Sequence, residues 1–97
     1  MASVSYAPRA LADLERLSDF LAETDLHAAA NTVDLIADAV AVLEEHPLIG
    51  RRAEAALREL VISRGKSGYI ALYRYDGERD RVLVLAVRHQ REAGYFG

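Results

Sequence analysis

The 97-residue sequence has no cysteine, which removes disulfide staples, thiolate metal sites and thiol nucleophiles together. Its three histidines, His27, His46 and His89, are scattered and form no ligand set, so neither metal nor cofactor is expected. Long apolar runs are also missing. The longest uninterrupted one, Val82 to Val87, falls far short of the ~18 residues that a membrane span needs, and no basic, apolar leader opens the chain. The expectation is a cytoplasmic protein that does not enter membranes. Asp13, Glu44, Glu45, Glu54 and Glu59 read as exposed or isolated carboxylates, giving no pair suited to glycoside or metal-assisted hydrolysis. No serine sits in a Gly-x-Ser-x-Gly elbow, so covalent catalysis is not expected.

What is present is an ordinary globular balance, 52% apolar and 28% charged. Shorter segments of so small a chain would not each bury enough apolar surface to fold, so residues 1–97 read as a single domain. Charge is unevenly spread. Residues 1–50 carry a net −7 and residues 51–97 a net +4, so only the C-terminal half is suited to meet a polyanion or an acidic partner. The overall pI of 5.5 speaks against a general nucleic-acid binder, and no direct sequence-specific nucleic-acid binding is expected.

Ser3 to Tyr6 alternates small polar with apolar residues and predicts a short strand, after which Pro8 opens a helix. Leu11, Leu14, Leu17 and Leu21 recur at helical spacing to about Glu23. Thr24 and Asp25 offer a stop and a new cap. A second helix is predicted from about Leu26 to Glu45, striped by Val33, Ile36, Val40 and Leu43, and the short turn makes the two an antiparallel hairpin. Pro47 and Gly50 end the helical region. Strands are predicted over Leu57–Ile62 and Tyr69–Tyr75, the second with Ile70, Leu72 and Arg74 on one side and its tyrosines on the other. A turn at 76–80, with Gly77 available for positive φ, leads to a last strand from Arg81 to Val87 that is apolar at both parities, as in a strand covered on both faces. The order β-α-α-β-β-β predicts an α+β domain, with the helical hairpin packed on a mostly antiparallel four-stranded sheet.

Gly65-Lys66-Ser67 copies the end of a phosphate-binding loop, but the first glycine of that motif would fall at Leu60 and a strand follows where a helix should. The segment reads as a cationic hairpin loop. Arg88-His89-Gln90-Arg91-Glu92 places two guanidiniums and an imidazole at a strand end, a set able to hold phosphate or carboxylate or to be merely solvated. Tyr69, Tyr73, Tyr75 and Tyr95 are read as sheet packing ahead of base stacking.

Several segments in this order resemble the ParE/RelE toxin superfamily: Ala10-Leu11-Ala12-Asp13-Leu14, His46-Pro47-Leu48-Ile49-Gly50-Arg51-Arg52, Leu57-Arg58-Glu59-Leu60, residues 68–75, and Val87 to Glu92. The resemblance implies a growth-inhibiting, plasmid-stabilising toxin and a cognate antitoxin whose C-terminal segment, disordered when free, wraps it. RelE-like members are messenger-RNA endoribonucleases on the ribosome; their pattern is matched here by Arg91 but not by Ile70, by the strand Leu57–Ile62 or by the shifted Tyr95. If the chain is such a nuclease, the resemblance points to Arg91, His89, Arg64, Lys66 and Tyr95 as catalytic candidates. The departures favour the ParE-like branch, which poisons DNA gyrase by binding without catalysis. Arg58, Arg64, Lys66, Arg74, Arg88, His89 and Arg91 then become target-binding candidates. Apolar positions on second helix faces, such as Phe20, Leu35 and Val42, are open to either groove or core.

Overall fold

The computed structural model describes residues 1–64, 67–92, 94 and 95, without the side chains of Arg64 and Ser67. In chain order it contains β1 (Ser3–Tyr6), α1 (Pro8–Ala22), α2 (Leu26–Ala41) with a single 3-10 turn (Val42–Glu44), β2 (Arg51–Arg52), β3 (Leu57–Arg64), β4 (Ser67–Asp76) and β5 (Arg81–His89). The strands form one sheet in the order β1-β5-β4-β3-β2, with β1 parallel to β5 and the other neighbours antiparallel. The sheet thus has five strands where four are expected from the sequence. The addition is the two-residue β2, whose length gives no periodicity to read.

Pro8 starts α1 without a side-chain cap, and the amide of Ala7 donates instead to the Val84 carbonyl at 2.8 Å. Asp25 caps α2 as expected, accepting from the amides of His27 and Ala28. α2 buries Ala29, Thr32, Ile36 and Val40, and Leu43 follows in the 3-10 turn. By length and mean hydropathy, Leu26–Glu44 would pass for a membrane-spanning helix, yet its apolar stripe belongs to the core formed with α1 and the sheet. α1 differs from its leucine pattern. Its buried stripe is Ala10, Asp13 and Leu17, while Leu11 is 55% exposed.

Asp13 is therefore not the exposed carboxylate that sequence implies. β1 ends at Tyr6, opposite Val84, so β5 loses its strand neighbour on that side beyond this point. The amide of Val87 donates to Asp13 Oδ2 at 2.8 Å, and the carboxylate serves as a substitute for the missing strand. Asp13 is only 5% exposed.

The side of the sheet facing the helices carries Tyr69, Ala71 and Tyr73 of β4 with Val82, Val84 and Val87 of β5. The β4–β5 register shifts between Leu72 and Tyr73, whose partners are Ala86 and Val84, leaving Leu85 as the inserted residue of a bulge. After the bulge the inward parity changes from Val82 and Val84 to Val87 and His89. This change explains why β5 is apolar at both parities; a second full covering layer is not needed, and Leu83 and Leu85 stay half-buried. In the turn before β5 the left-handed residue is Asp80 (φ 52°) and not Gly77, because the Asp76 carboxylate orders the turn by accepting from the amides of Glu78 and Arg79.

Replacing Asp13 with alanine leaves a buried amide without an acceptor. We expect a loss of about 1–3 kcal/mol in stability by urea unfolding. An unchanged midpoint would show that water serves this amide equally well.

Candidate macromolecular interface

Arg58 lies inward on β3 beside Tyr73, and its Nη1 donates to the carbonyls of Gly50 (2.9 Å) and Leu48 (3.2 Å). The Tyr73 hydroxyl donates to the Pro47 carbonyl at 2.8 Å and accepts from the Gly50 amide at 2.9 Å. Gly50 is required by this close approach: a Cβ there would sit 2.6 Å from the tyrosine ring. Arg58 is thus committed to fastening the loop after the helices, and it stands apart from the other candidates.

The opposite face of the sheet carries a second set. Glu59 accepts from the Tyr95 hydroxyl at 2.6 Å and from Arg51 Nε at 3.0 Å, while the Arg88 guanidinium lies 5.0 Å from the centroid of the Tyr95 ring. Arg88 Nη1 also donates to the Glu92 carbonyl at 3.0 Å, folding the chain back after β5. Among the described residues its buried Nε finds no acceptor. Ile70, which stands where the nuclease pattern has an arginine, is only 5% exposed. Burial and the neighbouring carboxylate push the Tyr95 hydroxyl up to about 12. The hydrogen bond from Tyr95 and the pairing with Arg51 hold Glu59 below its ordinary carboxylate value. Strand β5 also runs two residues beyond its expected end, so Arg88 belongs to a half-buried network and is not a solvated strand end.

His89 and Arg91 meet elsewhere, at a groove of about 640 Å³ between the C-terminal half of α1 and the ends of β4 and β5. Leu17, Phe20, Leu21 and Tyr69 form its apolar lining, and Phe20 is 70% exposed. Of the residues open to either reading, Phe20 and Val42 are thus surface, while Leu35 packs on the core. His89 meets Tyr69 edge to face with centroids 5.3 Å apart, and its Nδ1 accepts from the Arg91 amide at 3.0 Å. That bond leaves Nε2 as the donor of the neutral ring. The Arg91 guanidinium is exposed and makes no ion pair among the described residues. Arg16 forks onto the Glu92 carboxylate and lies 3.6 Å from Asp13, closing one side of the groove.

The structure therefore brings His89 and Arg91 together, joins Arg88 with Tyr95 on the other face, and leaves Arg58 and Arg74 separate. Arg74 is exposed on the face away from the helices. Arg64 pairs through its backbone with Ser67, while its side chain and Lys66 lie outside the described residues. The Arg16–Glu92 bridge and the role of Glu59 are not visible in sequence, because their partners are 76 and 36 residues away.

Since the folded Tyr95 pKa is raised, its contribution to holding the tail is complete below the ordinary value of 10.0 and is lost as pH climbs toward about 12. The Glu59 contribution, from a lowered pKa, is present above the ordinary value of 4.5 and is lost as pH falls through the lowered one. We expect the Tyr95 ring carbons to titrate by NMR near 12, and Glu59→Gln to bring the midpoint down. A midpoint at the ordinary value would mean that the tail is not held on the sheet.

The family of the ParE toxin of the type II toxin–antitoxin system parDE matches residues 4–94. Toxin RelE3 of Caulobacter vibrioides is 37% identical over 92 residues, covering 95% of this chain and 98% of its own. Toxin RelE1 of the same organism is 37% identical over 83 residues, covering 86% and 89%. Among solved structures, the fold matches the chromosomal ParDE system from P. aeruginosa with a TM-score of 0.74 at 24% identity, covering 92% of this chain and 96% of that one. It also matches the intact E. coli RelBE toxin–antitoxin complex with a TM-score of 0.69 at 17% identity, covering 95% and 100%. The RelBE2 complex from Mycobacterium tuberculosis gives 0.58 at 29% identity, covering 92% and 98%. With the match running from Val4 almost to the C-terminus, and with one helical hairpin on one mixed sheet, the chain belongs to the ParE/RelE superfamily, within the ParE toxin family of type II toxin–antitoxin systems.

Proposed function

We propose that this toxin inhibits DNA gyrase by binding it, and that a cognate antitoxin neutralises it. The observation that carries the reading is the commitment of the residues a nuclease would need. RNA cleavage requires a group to activate the 2′-hydroxyl, cations at the phosphorane and an acid for the leaving oxygen. Here the Tyr95 hydroxyl donates its hydrogen bond to Glu59, Arg88 is folded under the tail, and the buried Ile70 has no charge to offer. Among the described residues, the cation beside the groove that makes no ion pair is Arg91, next to a histidine whose Nδ1 is occupied. An arginine and an imidazole on the lip of an apolar groove suit a protein surface, where they supply charge-assisted contacts around buried apolar anchors.

The same groove supports the antitoxin. Solvent-facing Phe20 and half-buried Leu21 offer apolar surface for a segment that folds on contact, and the structural relatives are toxin–antitoxin complexes. One specific observation favours a second reading, a ribosome-dependent messenger-RNA endoribonuclease: both curated relatives carry RelE names.

Expression without antitoxin is expected to induce the DNA-damage response while transcripts stay intact. Cleaved ribosome-bound messenger RNA without that response would overturn the gyrase reading. Replacing His89 and Arg91 together with alanine should abolish or strongly weaken growth inhibition at unchanged folding by circular dichroism. Full toxicity of the double variant would remove both residues from the interface.

A further inference from the structure

The face of the sheet turned away from the helices has two ends. The tail of Arg88, Glu92 and Tyr95 covers one, and the other, beside the β4–β5 turn, is open. There the register places Ser3, Arg81 and Asp76 in one row across β1, β5 and β4, and Ser5, Leu83 and Arg74 in the next. Arg74 and Arg81 are diagonal neighbours on one face, where like charges repel unless an anion lies between them. The Asp76 carboxylate shares this face with them but forms an ion pair with neither. Asp76, opposite Arg81, is engaged by the turn amides and by Arg79 at 3.6 Å, and among the described residues neither Arg74 nor Arg81 makes an ion pair. Arg74, Arg79, Arg81, Asp76 and Ser5 border a cleft of about 210 Å³. Three guanidiniums thus face one carboxylate in a chain whose overall charge is −3.

We propose that this cleft is a phosphate site through which the toxin touches the backbone of duplex DNA. Arg74 and Arg81 fork onto one phosphodiester and the Ser5 hydroxyl donates to the same group. The lining favours a polyanion over an acidic protein segment. Its one aliphatic side chain on the open face, Leu83, is half-buried, which leaves no exposed anchor of the kind that gives protein contacts their affinity. Among the described residues no aromatic side chain lies on this end of the open face, so single strands find no stacking platform there. The contact is independent of sequence and sensitive to salt. The site goes beyond the gyrase reading, since duplex binding by the isolated chain needs no gyrase.

The test is fluorescence anisotropy of a labelled duplex of about 20 base pairs at ~50 mM salt, titrated with the full-length chain and its variants. Arg74→Glu with Arg81→Glu should lower affinity about tenfold or more and reduce the slope of log K against log salt by roughly 1, for the one phosphate no longer neutralised. Arg9→Glu, an exposed arginine on α1, should leave both unchanged. Absence of duplex binding by the wild type, an equal effect of Arg9→Glu, or tighter binding of single-stranded RNA of the same length would overturn the site. Loss of duplex binding in a toxin that leaves gyrase unaffected would retain the site and reject only the target. A charge-reversed variant that poisons gyrase yet binds duplex normally would do the reverse.

Discussion

The last strand of the sheet outruns its neighbour, and one carboxylate repairs the deficit. β1 is only long enough to pair with β5 as far as Val84, and the helix that follows packs over β5. Asp13 meets the amide of Val87 at the point where a strand partner is missing. Leaving a buried amide without an acceptor costs about 1–3 kcal/mol, a large share of the stability of a small domain. The bond therefore fixes both the rotation of α1 and its height over the sheet. Arg16, one turn on from Asp13, lies near the same carboxylate and forks onto Glu92, so the tail is fastened to the same helix.

That fastening sorts the cationic C-terminal half into surfaces with different prospects. On the helix side, α1 stops short of closing over Tyr69 and His89, and the uncovered space is the groove edged by Phe20 and Arg91. On the other side, the tail brings Tyr95 to Glu59 and Arg88, where charges are satisfied internally. Beyond the tail, Arg74 and Arg81 have no internal partner among the described residues. A positive charge of +4 over residues 51–97 thus says little by itself; which guanidiniums are already spent decides what the surface can hold.

Much of the architecture was legible in the chain. The α2 stripe of Ile36, Val40 and Leu43, the Asp25 cap and the alternation of Ile70, Leu72 and Arg74 against the tyrosines follow from patterns that local geometry enforces. The features that escaped are those set by distant partners. Asp13 reads as solvated because the amide that needs it is 74 residues away, and the apolar double parity of β5 hides a bulge that no local pattern marks. Gly77 looked like the left-handed turn residue, but the Asp76 carboxylate organised the turn so that Asp80 took that conformation. Among the candidate residues, sequence position after the last strand grouped Arg88, His89 and Arg91, and strand parity separated Arg88 from the other two. Alternate residues of a strand face opposite sides, but the bulge at Leu85 decides which of them faces the helices, and no local pattern marks it.

The central claim is that this toxin acts by holding a protein–DNA target and not by cutting RNA. Incubating the purified chain with DNA gyrase, ATP and supercoiled plasmid, then denaturing the enzyme, tests it most directly. Accumulation of linear plasmid in proportion to toxin, suppressed by prior addition of antitoxin, is the predicted result. Undisturbed supercoiling, together with cleavage of messenger RNA in a reconstituted translation reaction, would contradict it.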